Sequence, residues 1–337
     1  MDETEHQFVE RESGCLRTEE FFGNSVVRFI YSRKRENPSI LFKTLTSPRM
    51  SKMLSFLNYD CALGAKLTGA WRFCRRLDID LSECLCHPGE FRTLRNVFER
   101  KIRYWETRPM PQDPGAIVSP CDAKMLVGSF SRSSRLYIKD KFFDYVELLA
   151  EDKSEWLGRF FRADYAIFRL TPEKYHYNHL PATGMIVDYY GIDGRYDSCN
   201  PRTIVAMAKP YSKNRRFVTI IDTDMPGGSR IGLVAMIEIV ALMIGDISQC
   251  YSEVRYDDPK PLQHGMVVKR GQPKSLFRPG SSTVILLFQE GRILFSPDLT
   301  DNLFHREARS WYSDKFGIPL VETEVRVRSE IGRIEPG

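Results

Sequence analysis

Three short stretches carry residues whose types suit one piece of chemistry. Phe277-Arg-Pro-Gly-Ser-Ser-Thr-Val-Ile-Leu-Leu-Phe288 sets Ser281 and Ser282 between a Pro-Gly turn and a strand-forming run. A turn entering a buried strand can hold a strained peptide, and strain gathers at functional sites. A serine hydroxyl there can attack the carbonyl of its own peptide bond, cutting the chain and leaving a new end at Ser282. A neutral serine needs an adjacent base. Histidine suits that task near neutral pH, and a carboxylate orients it. Tyr175-His-Tyr-Asn-His-Leu-Pro181 supplies His176 and His179 in an extended or irregular connection between Pro172 and Pro181, and Val118-Ser-Pro-Cys-Asp-Ala-Lys124 supplies Asp122. Each stretch also has a plain structural reading: a Ser-rich turn, a pair of satisfied histidines, an Asx-type turn residue.

The elements that must position these residues read as strands. Ala116–Val118, Met125–Val127, Leu136–Ile138, Tyr165–Leu170, Met185–Val187, Phe217–Ile221, Leu233–Ile239 and Val284–Phe288 are apolar, β-branched or aromatic and are separated by Gly/Pro turns. Many short strands predict an antiparallel core. Ahead of it, residues 1 to about 20 are polar and read as peripheral. Phe21 to Leu57 alternates aromatic and aliphatic residues with Arg28, Arg33, Lys34, Arg35, Lys43, Arg49 and Lys52, and Pro38 and Pro48 divide it into short helices. That pattern suits an interfacial helix on an anionic membrane, or equally a helical layer packed on the main domain. Pro109, Pro111 and Pro114 mark a junction. The expected fold is α+β, with a helical N-terminal region over 1–110 and a mainly antiparallel β domain over 111–337. The tail after Pro297 is charged, with a helix expected over Leu303 to Tyr312.

Composition narrows the class. The 337 residues are 42% hydrophobic and 28% charged, as in a globular protein. The net charge of +5 is mild and no nucleic-acid motif accompanies it, so no nucleic-acid partner is expected. No uninterrupted apolar run reaches the roughly 18 residues of a membrane span, and Ile231 to Ile247 carries Glu238 and Asp246. Met1-Asp-Glu-Thr-Glu lacks the apolar segment of a secretory signal. Cys84-Leu-Cys86-His87 looks like half a zinc site, but no second pair follows at the required spacing, so no metal is expected.

Taken together, the three motifs resemble those of phosphatidylserine decarboxylases, the self-processing pyruvoyl enzymes of phospholipid synthesis. The resemblance runs from about residue 90 to about residue 297, with the motifs in the family's order. It implies that His179 partners Asp122 and Ser282, and that the chain cuts itself between Ser281 and Ser282. Ser282 would become a covalent pyruvoyl group. That group would form an imine with phosphatidylserine, release CO2 and yield phosphatidylethanolamine. His176 would lie near the substrate, delivering a proton or holding the carboxylate. The resemblance further implies that fragments 1–281 and 282–337 stay associated, that the enzyme sits peripherally on an anionic membrane through its N-terminal helices, and that it forms a homodimer. Weaker similarity attaches to Thr107-Arg-Pro109, Tyr211-Ser-Lys-Asn-Arg-Arg216, Gly232 to Ile247 and Lys269-Arg-Gly271.

Three departures stand out. Ala123 replaces the family's Gly after the aspartate, Ser281 replaces the usual Gly before the cut, and Ser275-Leu-Phe277 replaces Gly-Tyr-Phe. The last leaves open a related amino-acid phospholipid or a soluble amino acid as substrate. Two rivals remain: a serine hydrolase using Ser282, His179 and Asp122 without self-cleavage, and a non-catalytic membrane-binding relative. The hydrolase lacks the Gly-x-Ser-x-Gly elbow common in that class.

Overall fold

The structure is a computed structural model, and it describes residues 5–21, 74–75, 79–137, 142–206, 210–241, 246–279 and 282–335. The N-terminal strands are β1 (Gln7–Glu10), β2 (Leu16–Thr18), β3 (Ala116–Val118), β4 (Ala123–Ser129), β5 (Asp164–Leu170) and β6 (Tyr177–His179). The middle ones are β7 (Gly184–Ile192), β8 (Arg216–Asp222), β9 (Leu233–Val240), β10 (Ile247–Gln249), β11 (Val267–Val268) and β12 (Pro273–Phe277). The last are β13 (Ser282–Phe288), β14 (Ile293–Phe295), β15 (Glu322–Val325) and β16 (Glu330–Ile334). Short helices, such as Leu94–Phe98, Pro297–Leu303 and Trp311–Phe316, connect them. The class is α+β, built mainly on antiparallel strands.

A ten-stranded sheet runs β11-β7-β8-β9-β13-β5-β4-β15-β1-β2. Every pairing in it is antiparallel except β1 with β15. Two three-stranded sheets, β10-β12-β6 and β14-β16-β3, complete the fold. β9 and β13 are continuous apolar runs because both of their faces are covered, where a sheet with one wet face would alternate. Val284 to Phe288 are wholly buried, each contributing about 1.5–3 kcal/mol of burial. Successive side chains in a strand point to opposite faces. The register pairs Ser282 with Val240 and Val284 with Glu238, so Ser282 and Glu238 share one face of the large sheet. Thr283 pairs with Arg169 of β5 on the other face.

Three expectations are corrected. The segment before residue 22 is not peripheral from residue 5 onward: β1 and β2 extend the large sheet, and His6 and Glu19 are buried. Of the strand expected over Leu136–Ile138, the described residues Leu136 and Tyr137 form none; Tyr137 makes one isolated bridge to Ser129, because tight turns at Ser131–Ser134 and Ser134–Tyr137 bend the chain there. The tail helix divides into Pro297–Leu303 and Trp311–Phe316, with Phe304 closing the first and Ser310 opening the second. Residues 22–57, the greater part of the expected interfacial segment, lie outside the described residues.

Candidate active site

β13 carries Ser282 into the interior of the large sheet. It is the first residue of the strand, opposite Leu170 and Val240. Its side chain is buried and Oγ has no hydrogen-bond partner among the described residues. Buried hydroxyls are nearly always satisfied, so an unsatisfied one calls for an explanation. Gly280 and Ser281, and with them the expected scissile peptide, lie outside the described residues.

The histidine segment ends in β6, extended as expected, and both imidazoles are fully buried. His176 Nδ1 lies 2.7 Å from the Lys174 carbonyl and donates to it, which leaves Nε2 as an acceptor with no partner. Its ring packs on Phe98, with centroids 3.6 Å apart. His179 Nδ1 donates to the Gly271 carbonyl at 2.9 Å, so Nε2 accepts from the Tyr175 hydroxyl at 3.0 Å. The Tyr256 hydroxyl stands 2.7 Å from that of Tyr175. Burial lowers the pKa of each histidine to about 3. Arg100 pushes His176 the same way, and Arg328 and Arg108 do so for His179 against the Gly271 bond and Asp122. Both are therefore neutral at pH 7. Gly271 adopts φ +72°, and a Cβ there would come within 2.5 Å of Met110 Sδ. The carbonyl that orients His179 thus depends on a residue without a side chain.

Asp122 is buried and held by Arg108, at 3.1 Å from Nε and 2.8 Å from Nη2, and by the Val327 N–H at 2.7 Å. Arg108 also grips Glu83 at 2.8 and 2.9 Å. Burial alone would raise the Asp122 pKa; the Arg108 charge and hydrogen bonds, with the Val327 N–H, reverse that and lower it. The Asp122 and His179 segments adjoin, since the His179 N–H donates to the Pro120 carbonyl at 2.6 Å. The side chains themselves are not hydrogen-bonded: Arg108 and Val327 hold the carboxylate, while Tyr175 and Gly271 hold the imidazole. The charge of Asp122 nonetheless acts on both histidines. Ala123 fits without strain, as an ordinary strand residue opening β4 outside the positive-φ region.

Asp122→Asn is expected to cost about 1.5–3 kcal/mol in urea unfolding, the worth of hydrogen bonds to a charged group. Because the folded pKa is lowered from 3.8, that contribution is present above pH 3.8 and is lost as the pH falls through the folded value. A variant as stable as the parent at pH 7 would remove the Arg108–Asp122 pair from the account.

Sequence reasoning missed several partners. Arg108 stands in Thr107-Arg-Pro109, and Tyr175 and Gly271 stand in Tyr175–Pro181 and Lys269-Arg-Gly271, stretches noticed without a role for these residues. Glu238 was legible as one charge within an apolar strand, but Lys274 and Asn178, which bind it, carried no signal. His87, half of the supposed metal motif, caps a turn through Nδ1 at 3.2 Å from the Gly89 N–H.

A model of the family described as phosphatidylserine decarboxylase matches residues 94–306. Three curated relatives carry the name phosphatidylserine decarboxylase proenzyme. The Fusobacterium nucleatum protein is 25% identical over 92% of this chain and 97% of its own length. The Chlamydia trachomatis serovar L2 protein is 29% identical over 89% and 92%, and the Clostridium tetani protein 26% over 92% and 97%. With the match spanning more than half of the chain, the protein belongs to the phosphatidylserine decarboxylase family and is a decarboxylase.

Proposed function

We infer that this chain is a proenzyme that cuts itself between Ser281 and Ser282 and then decarboxylates phosphatidylserine to phosphatidylethanolamine. The observation that carries the reading is the buried, unpartnered hydroxyl of Ser282 at the head of β13. The relatives' name, phosphatidylserine decarboxylase proenzyme, agrees with it.

In the proposed maturation a neutral imidazole takes the proton of Ser282, and the oxygen attacks the Ser281 carbonyl carbon. The peptide C–N bond breaks as the ester C–O bond forms. Loss of the Ser282 α-proton then expels fragment 1–281 as a carboxylate, leaving dehydroalanine. Its imine tautomer adds water and releases ammonia, giving a pyruvoyl group at position 282. Ser282 fits this fate because no residue among those described holds its hydroxyl. The pyruvoyl carbonyl, once present, supplies a sink for the electron pair left by departing CO2. Fragment 282–337 would remain associated because it begins with β13, paired on both sides with strands of fragment 1–281.

His179 is assigned the serine proton, with Nδ1 anchored on Gly271 and Nε2 as the base; Tyr175 must release Nε2 for transfer. His176 is assigned to the substrate, as proton donor or carboxylate holder. A second reading exchanges these roles, and the open Nε2 of His176 favours it. His179→Ala is expected to slow cutting by about 10²–10⁴-fold, the usual worth of a general base. His176→Ala is expected to cut normally and turn over slowly. The opposite pattern in the two variants would establish the exchange.

The substrate headgroup is reached from an anionic membrane on which the enzyme sits peripherally. Among the described residues no helix is long and apolar enough to cross a membrane. The test of the whole reading is intact mass. Two chains divided before residue 282, the shorter reactive toward a carbonyl reagent, support it. A single 39.1 kDa chain that labels with a serine-directed probe would favour the hydrolase.

A further inference from the structure

Beneath Ser282 lies an ion pair with no solvent exposure. Glu238 of β9 and Lys274 of β12 are 0% exposed, and Nζ stands 2.6 Å from Oε2. The Glu238 carboxylate also accepts from Gln249 Nε2 at 3.0 Å, from Asn178 Nδ2 at 3.1 Å and from the Ser275 hydroxyl. Lys274 donates a second bond to Gln249 Oε1 at 3.1 Å. Four donors thus converge on one carboxylate within a strand otherwise made of Leu, Val, Ala, Met and Ile.

An apolar pair of similar volume would hold the layers together at least as well, since burying two charges is costly. The network has a different property, which is its position. It ties all three strands of the β10-β12-β6 sheet, through Gln249, Lys274 with Ser275, and Asn178, to the face of the large sheet that bears Ser282. Glu238 is the diagonal neighbour of Ser282 across the β9–β13 pair. Asn178 is next in sequence to His179 and two residues from His176.

We propose that Glu238 and Lys274 are positioning residues for self-cleavage: they fix the height and register of the histidine segment over Ser282. Hydrogen bonds are directional, whereas apolar contacts slide, so a saturated carboxylate sets a spacing that an oily contact would leave loose. Ser275 belongs to the device. Its hydroxyl, absent from the family's usual Gly, supplies one of the four donors. This inference rests on the self-cleavage proposed above.

The test compares Glu238→Leu with Lys274→Met combined, and Ser275→Ala, against the wild-type chain and Ser282→Ala. The readouts are melting temperature, rate of cutting and its pH profile. The double variant is expected to melt near the wild type yet cut at least tenfold more slowly, with a rate that climbs with pH above neutrality. Without a placed imidazole, hydroxide must take the serine proton. Ser275→Ala is expected to show the same change in pH profile with a smaller loss of rate. Wild-type cutting with an unchanged profile in the double variant would overturn the proposal. If the double variant does not fold, Glu238→Gln in the Ser282→Ala background decides by amide exchange. Faster exchange confined to residues 177–179 and 273–277 supports positioning, and a uniform rise through the large sheet overturns it. An uncut wild-type chain would overturn the self-cleavage reading and this inference together.

Discussion

Ser282→Ala is expected to give one uncut chain with no measurable decarboxylation, a loss of at least about 10⁴-fold. The size of the effect follows from the double use of one residue. In the proposed maturation the hydroxyl is the nucleophile for cutting, and the carbon atoms of the same residue would become the pyruvoyl group. Thr283, the next residue of the strand, points to the opposite face of the sheet and cannot take its place. The fold should survive: the substitution removes one unpartnered oxygen from a buried site, which is close to neutral for stability. The measurement is intact mass with a headgroup-release assay. Cutting in the alanine variant would move the reaction to another residue, Ser281 first.

Arg169→Ala is expected to destabilise the uncut Ser282→Ala chain by about 3–5 kcal/mol. Arg169 lies on the sheet face opposite Ser282 and joins two buried carboxylates. It reaches Glu322 at 2.9 and 2.5 Å and Glu19 at 2.8 and 2.6 Å. Lys124 adds a contact to Glu19 at 3.1 Å, and His6 stands 3.1 Å from Glu322. Removing the guanidinium leaves two negative charges in the interior with one lysine between them. Burial pushes both carboxyls up, but the Arg169 charge and hydrogen bonds together with Lys124 at Glu19 and His6 at Glu322 outweigh it, so both fall below 4.5, Glu322 to about 2. Their contribution is therefore complete above pH 4.5 and is lost as the pH drops toward about 2. Urea unfolding at pH 7 and pH 3 measures both effects; a loss under about 1 kcal/mol at pH 7 would count against the account. Glu322 falls in fragment 282–337, and Glu19 and Arg169 in fragment 1–281. In the cut enzyme the same substitution should let the fragments separate more readily on gel filtration. The cluster of His6, Glu19 and Glu322 has the geometry of a metal site, but Arg169 and Lys124 already neutralise its carboxylates.

What could be read in advance divides along a physical line. β13, β5 and β9 were legible because a strand buried on both faces writes its burial into consecutive residues. β1 was not, because Gln7–Glu10 is short and only half apolar. It is a strand because β15, more than 300 residues away, offers it an edge. Lys124, Arg169 and Lys274 belong to residue types that are rarely buried, yet each is buried against a carboxylate brought from elsewhere in the chain.

The sequence by itself determined the family and supplied the residues proposed to react, because the chemistry of a nucleophile, a base and a carboxylate resides in side-chain type and local motif. The tertiary structure alone decided how those groups are partnered. Arg108 rather than His179 grips Asp122, Tyr175 and Gly271 hold His179, and a Glu238–Lys274 pair lies beneath Ser282. A hydrogen bond needs its donor and acceptor at about 3 Å and in line, and only the packing of distant strands sets where each atom stands.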